Sequence, residues 1–550
     1  MLDRRRFIGL TLGGLAAPAF IRPNRAFGKT MVVAATEQGM ISGTEENGAI
    51  SFRGIQYAAD TGGKNRFRAP QPVESWSGVR PAFQDGDRCP QGVETFRGQN
   101  WSAWYDQGAG FSEDCCVLNV FTPGLEKDAR RPVMLYIHGG GFRSGGGGGP
   151  GLDGSNLAKF GNAVVISINH RLNLLGYVHL GFLDPEFADS ANAGQLDVLA
   201  ALKWVKANIA SFGGDPDNVT VFGQSGGGSK ITSLMVMPEA APYFRRGINM
   251  SGVTTFTMMH AESREELTLE FLREVGLGRD DFRRLQDLPH EQLRVAYENA
   301  VKTLGVDDYR PVIDGLHIHH APMTPEGLAV SADKPLIVGT TETEATIWLG
   351  RTEGITSMSE DDLRGRVGAQ FSFDDAKVSA LIEAYRVETP DRTPYEVLAA
   401  MASDAVFRGR MMRGVEAKAS INSAPVYVYN FTWRLPVDDG VWLTPHTADI
   451  PFAFGNVDIA DMMTGGHAAA SDVARSMMSA FTAFAKKGDP NNPDLPYWKP
   501  YDLVDRTTMT IARPCKSVND FLGSDRIASQ DFLHQESFQL LAGPMFQGVK

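Results

Sequence analysis

The chain has 550 residues, 43% of them hydrophobic and 21% charged, with a formal net charge of −12. That length and composition exclude a disordered or disulfide-stapled miniprotein and are enough to bury an extensive core. The acidic balance argues against nucleic acid or an anionic membrane surface as a partner.

In chain order, Arg4-Arg5-Arg6-Phe7-Ile8 resembles the twin-arginine export motif. An apolar stretch follows to Ile21, and Ala26-Phe27-Gly28 offers a small-x-small cleavage site. Residues 1–28 are therefore expected to be an export signal read by the twin-arginine machinery, and the mature chain, 29–550, a periplasmic or secreted protein. The apolar stretch falls short of the ~20 residues of a membrane span and contains Pro18, so no stable anchor is expected. Removing five arginines and one aspartate leaves about −16 on the mature chain.

Beyond the signal, strands are predicted near 133–138, 163–169, 219–222, 335–339 and 425–431, with a helix near 193–210. In that helix Leu196, Leu199, Leu202, Val205 and Ile209 recur every three or four residues, an apolar stripe suited to packing on a sheet. Alternation of strands and helices predicts an α/β fold with a mostly parallel central sheet flanked by helices. Segments 261–304 and 357–420 read as helical, charged on one face, and suit a cap over a site. One enlarged domain is expected, with no internal repeat.

Two segments carry chemistry. Gly223-Gln224-Ser225-Gly226-Gly227 stands where a β-branched strand ends, the arrangement of a nucleophile elbow. The serine of such a turn is strained, so its neighbours two before and two after must be small. Upstream, Pro132 to His138 reads as a buried strand running into Gly139-Gly140-Gly141-Phe142. Such a loop frees backbone N–H groups to stabilise a tetrahedral oxyanion, and we assign Gly140, Gly141 and Gly226 as donors. Losing one such donor costs about 3–4 kcal/mol of transition-state stabilisation. The glycine run 145–149 reads as a flexible rim. Among the eleven histidines, His317, His319 and His320 follow a turn and are read as solvated loop residues, since no convergent set completes a metal site.

These segments, with others along the chain, resemble the type-B carboxylesterases, the cholinesterase and para-nitrobenzyl esterase branch of the α/β-hydrolases. The similarity runs through Phe52-Arg53-Gly54-Ile55-Gln56-Tyr57-Ala58, Arg66-Phe67-Arg68-Ala69-Pro70, Ser112-Glu113-Asp114-Cys115 with Leu118-Asn119-Val120, Phe212-Gly213-Gly214-Asp215-Pro216, and Gly488-Asp489-Pro490-Asn491. It implies the α/β-hydrolase fold with helical cap-like insertions and a serine carboxylic-ester hydrolase working through an acyl-enzyme, with no metal or organic cofactor. A small-molecule ester, hydrophobic or aromatic, is the implied partner; a catalytically weak or inactive binding protein is the alternative, which an intact Ser225 argues against. Oligomeric state is left open.

The same resemblance supplies the rest of the site. The family's glutamate aligns with Glu344, with Glu342 as rival, and Pro445-His446-Thr447-Ala448-Asp449 points to His446 as the base. His446 is expected to take the Ser225 proton while Glu344 orients the imidazole, so activity should rise with pH as the histidine deprotonates. Ser251 resembles a serine that the family places near the histidine. Cys89 and Cys115 resemble its first disulfide pair, while Cys116 and Cys515 are expected as free thiols. The chain departs from the family's Gly-Glu-Ser-Ala-Gly at Gln224 and Gly226, which bears on rate and substrate range. Phe142, Trp104 and Trp348 are the candidate pocket aromatics, with Phe96, Trp101, Tyr105 and Phe111 in the loop between the two cysteines.

Overall fold

A computed structural model describes residues 30–92, 100–106, 108–253, 258–306, 309–533 and 544–546. The export signal and Phe96 lie outside the described residues.

The molecule is organised by a 13-stranded sheet. Its strands are β1 (Thr30–Ala35), β2 (Met40–Glu46), β3 (Ala49–Gln56), β4 (Val79–Pro81), β5 (Val117–Thr122), β6 (Arg131–Ile137), β7 (Val164–Ile168), β8 (Gly214–Gln224), β9 (Arg246–Met250), β10 (Leu336–Thr341), β11 (Val426–Phe431), β12 (Thr508–Ile511) and β13 (Lys516–Val518). The spatial order is β1-β2-β3-β5-β7-β6-β8-β9-β10-β11-β12-β13, with β4 beside β2. From β7 through β12 every pairing is parallel. The flanks, β1 to β5 on one side and β13 on the other, pair antiparallel except for β4.

The five predicted strands coincide with β6, β7, β8, β10 and β11. They were legible because a parallel strand covered on both faces is continuously apolar, and β6 and β7 are buried almost throughout. The short antiparallel flanks carry a weaker pattern, and the short parallel strands β9 and β12 do not stand out in the sequence either. Helix α1 (Ala193–Asn208) fills the predicted 193–210 region and buries its stripe. It is also buried on its other sides, at Gly194, Gln195, Asp197 and Trp204. The reason is a polar contact that periodicity does not register: Asp197 accepts Arg171 Nε at 2.8 Å, Arg171 Nη2 at 2.6 Å and the Arg171 N–H at 3.0 Å.

Segments 261–304 and 357–420 are helical as expected, including Glu265–Glu274, His290–Leu304, Glu360–Phe371, Pro394–Ser403 and Gly409–Ile421. Between the last two lies a π-helical turn, Asp404–Arg408. No helix of the described residues is long and apolar enough to cross a membrane.

The cysteines require a correction. All four are free thiols, and the expected Cys89–Cys115 disulfide is absent. Both side chains sit in one apolar cluster. Cys89 Sγ accepts the Leu172 N–H at 3.3 Å, so the thiol is packed and bonded as a thiol. Cys515 is half-buried and donates to Ala512 O.

Candidate active site

Parallel register puts the carboxyl ends of β6, β8, β9 and β10 side by side: Ile137 is level with Gly223, Gln224 with Met250, and Met250 with Gly339. Open α/β sheets bind their ligands outside these ends; Ser225 lies just beyond β8, Glu344 just beyond β10, and His446 in the loop after β11.

Ser225 follows β8 and opens helix α2 (Gly226–Leu234), with φ 56° and ψ −123°. That left-handed conformation is strained for a residue with a side chain. Gln224 before it is the last residue of β8, and the Ser225 N–H donates to Met250 O at 2.8 Å. A Cβ on Gly227 would stand 1.9 Å from Ile137 O, so only glycine lets the new helix lie this close to β6.

Glu344 sits in the turn after β10, wholly buried. Its Oε2 lies 2.5 Å from His446 Nδ1. Its Oε1 accepts the Ser251 hydroxyl at 2.5 Å and the Thr341 N–H at 2.8 Å. The loop after β11 brings His446 here. The His446 N–H donates to Glu344 O at 3.1 Å, and Thr444 N–H donates to Thr343 Oγ1 at 2.9 Å, clipping the two loops together. Burial raises the pKa of the rival, Glu342, against the charges of Arg434, Arg392 and Arg408. Of the two glutamates, Glu344 and not Glu342 is the one set against His446.

The outer edge of the imidazole is taken by a residue that chain order did not place there. Gln224 Nε2 lies 3.2 Å from His446 Nε2 and 3.5 Å from Nδ1. Among the described residues no hydrogen bond joins Ser225 Oγ to His446. Catalytic hydrogen bonds are often loose before substrate arrives. The face of the ring is covered by Phe407, stacked at 4.4 Å from the π-helical turn, and by Trp348 at 6.0 Å. Trp348 and Phe407 are themselves stacked at 6.0 Å. Phe407 was missed; its only signal in the sequence is an aromatic in an otherwise ordinary helical segment.

On the opposite side of Ser225, Gly140 and Gly141 follow β6 with φ of +93° and +63°. Both are left-handed conformations that favour glycine. Among the described residues neither N–H has a protein acceptor, and Gly226, first in its helix, likewise has no intrahelical acceptor for its N–H. Three free donors thus border the serine.

The other two aromatics are placed for packing. Trp104 is buried against Gly149 and Gly151 and meets Tyr105 edge-on, and the glycine run 145–149 is mostly buried instead of an open rim. Phe142 packs edge-on against Tyr177. Of the three candidate pocket residues, the structure sets Trp348 alone against the imidazole. Trp101 packs on Trp442, and Phe111 is exposed under Arg88. His317 corrects the solvated-loop reading: its Nε2 is 2.8 Å from Asp189, which raises its pKa against the opposing pull of burial. His319 and His320 are exposed. Among the described residues no cluster of His, Cys, Asp or Glu could hold a metal ion.

A serine on a strained strand-to-helix turn, a carboxylate-bound histidine and a glycine-lined donor loop, all at the carboxyl ends of a parallel sheet, define a serine hydrolase of the α/β-hydrolase fold. The chain belongs to the carboxylesterase family, whose profile matches residues 30–530, and it is a serine carboxylic-ester hydrolase. It is 33% identical over 504 residues to the para-nitrobenzyl esterase of Bacillus subtilis (strain 168), covering 89% of this chain and 97% of that protein. Among solved structures it resembles carboxylesterase EST55 of Geobacillus stearothermophilus, with a TM-score of 0.76, 31% identity, and coverage of 90% of this chain and 100% of that one. It also resembles an esterase of Clostridium hathewayi described as able to hydrolyse aliphatic aromatic polyesters, with a TM-score of 0.77, 31% identity, and coverage of 92% and 100%.

Proposed function

We propose that Ser225 is the nucleophile, His446 the general base and Glu344 the acid that orients it. The observation that carries this is the short Glu344–His446 contact, made outside the carboxyl ends of the central strands where the strained Ser225 also stands. With Nδ1–H held by Glu344, the lone pair is on Nε2, and the Ser225 hydroxyl must replace the Gln224 amide, 3.2 Å away, to give it its proton. Attack of Oγ on the ester carbonyl gives a tetrahedral oxyanion, met by the N–H groups of Gly140, Gly141 and Gly226. His446 then protonates the leaving alcohol, and water activated by the same imidazole releases the acid from the acyl-enzyme.

The substrate class we infer is a hydrophobic or aromatic ester. Trp348 and Phe407 present aromatic surface beside His446, which suits an apolar group next to the scissile bond. The Clostridium hathewayi esterase, described as able to hydrolyse aliphatic aromatic polyesters, supports the same direction.

We also propose that the chain is exported through its twin-arginine segment, that residues 1–28 are removed, and that 29–550 works as one catalytic domain in the periplasm or outside the cell. N-terminal sequencing of protein from a periplasmic extract reads the cleavage point; a start at Met1 in the cytosolic fraction alone overturns this.

The catalytic assignment is tested by p-nitrophenyl ester turnover. Ser225→Ala and His446→Ala are each expected to lose at least about 10³-fold in kcat, as triad residues acting as a unit do. Retention of activity in either variant removes that residue from the mechanism.

A further inference from the structure

Lys230 is a buried cation that the reaction as laid out above does not use. It lies in α2, five residues after Ser225, with none of its surface exposed. Its Nζ donates to Gly141 O at 2.6 Å and sits 4.9 Å over the Phe142 ring. Burial alone pushes its pKa down to about 7. Its charge acts on His138 and His170, stacked on each other at 4.8 Å, and both are held neutral by burial first and by the Lys230 charge second. An ammonium among neutral imidazoles and aromatic rings, with no carboxylate among the described residues acting on it, is costly to bury. An apolar side chain there would favour folding more.

Gly226 makes a second, independent contact with the same peptide. A Cβ on Gly226 would lie 2.1 Å from Gly141 O and 2.5 Å from Gly141 Cα and C. The Gly141–Phe142 peptide is thus pressed onto the start of α2, its carbonyl turned into the interior toward Lys230. Glycine at 140 and 141 leaves this stretch with little intrinsic preference. That peptide carries the Phe142 N–H, and the Gly141 N–H belongs to the peptide one Cα before it, so holding the Gly141 carbonyl fixes Gly141 against rotation and keeps its own N–H aimed where the oxyanion develops.

We propose that Lys230 is a positioning residue for ester hydrolysis: its ammonium holds the Gly141 carbonyl inside the protein and so aims the N–H groups of the loop at the oxyanion, and Gly226 is the residue that lets the peptide approach. This rests on the oxyanion role given above to Gly140 and Gly141.

The test uses the mature enzyme with Lys230→Met, Gly226→Ala and the double variant. Three quantities are read for each: kcat and KM on p-nitrophenyl butyrate, inhibition by a trifluoromethyl ketone that forms an oxyanionic adduct, and the urea midpoint. Lys230→Met is expected to lower kcat by about 10²-fold, the order of losing an oxyanion donor. KM should stay within about twofold, because the loss is confined to the transition state. Affinity for the ketone falls in parallel with kcat, while the urea midpoint holds or rises. Gly226→Ala loses in the same way, and the double variant loses no more than the worse single, since both act through one peptide.

Wild-type kcat and ketone affinity in Lys230→Met overturn the proposal, as does a double variant whose losses multiply. If Lys230→Met does not fold, Gly226→Ala carries the test, and unchanged ketone affinity there overturns it. Ser225→Ala separates the two readings: if it is inactive while Lys230→Met is normal, only the lysine assignment fails, and if it turns over normally, the site reading fails first.

Discussion

Ser251 and Glu344, 93 positions apart in the chain, share a hydrogen bond of 2.5 Å on the carboxylate oxygen that His446 does not use. One oxygen of Glu344 therefore answers to β9 and the other to the imidazole, which fixes the plane of the carboxylate. Hydrogen bonds to charged groups are worth about 1.5–3 kcal/mol, so Ser251→Ala should lower kcat by about tenfold or more with little change in KM. Glu344→Gln should cost far more, on the order of 10³–10⁴-fold, because the amide favours the wrong imidazole tautomer. Steady-state kinetics on both variants checks the ranking; equal losses contradict it.

Gln224 touches both nitrogens of His446 with a neutral amide. Gln224→Glu places a carboxylate at the same distance and favours the protonated ring. The enzyme needs the neutral ring to accept the serine proton, so the acidic limb of the kcat/KM profile should move to higher pH. A profile superimposable on wild type would show that the side chain at 224 does not act on the imidazole.

Asp449, three residues after His446, is buried with its Oδ2 accepting the Tyr429 hydroxyl at 2.7 Å and its Oδ1 without a partner among the described residues. Burial first, then the Glu344 charge, raise its pKa to about 7. Between its unfolded value, about 3.9, and its folded value the native state binds more protons than the unfolded chain. Stability from this group therefore falls as pH rises across that window, and the full cost, on the order of 4 kcal/mol, applies above it. Asp449→Asn should thus raise the urea midpoint relative to wild type at pH 8 much more than at pH 5. A difference independent of pH contradicts the linkage.

Phe407 stacks on His446 at 4.4 Å and on Trp348 at 6.0 Å. Aromatic pairs add about 0.5–1.5 kcal/mol beyond burial, so Phe407→Leu should lower kcat by up to about tenfold through a looser imidazole. Trp348→Ala should instead raise KM, and more for a phenyl ester than for an ethyl ester. Parallel effects of the two variants on both parameters would contradict the division of roles.

The sequence by itself determined the features whose cause is local. A serine between glycines at a strand end has one sterically sensible conformation, and Ser225 adopts it. Glycines after β6 permit the positive φ values at 140 and 141, and continuously apolar runs can only be strands or helices covered on both faces. Family motifs then carried Glu344 and His446, which the structure brings within hydrogen-bond distance of each other. Tertiary structure alone decided what depends on which distant segments meet. The π-helical turn at Asp404–Arg408 delivers Phe407 to a histidine nearly forty positions away, and no periodicity encodes that meeting. Arg171 makes Asp197 a buried partner on a face that the apolar stripe leaves unassigned. Cys89 and Cys115 pack as thiols beside Leu172 and its neighbours. Nothing in one dimension marks Lys230 as buried. Its burial against Gly141 exists only because β6 and β8 lie side by side, so the loop after one is folded onto the helix after the other.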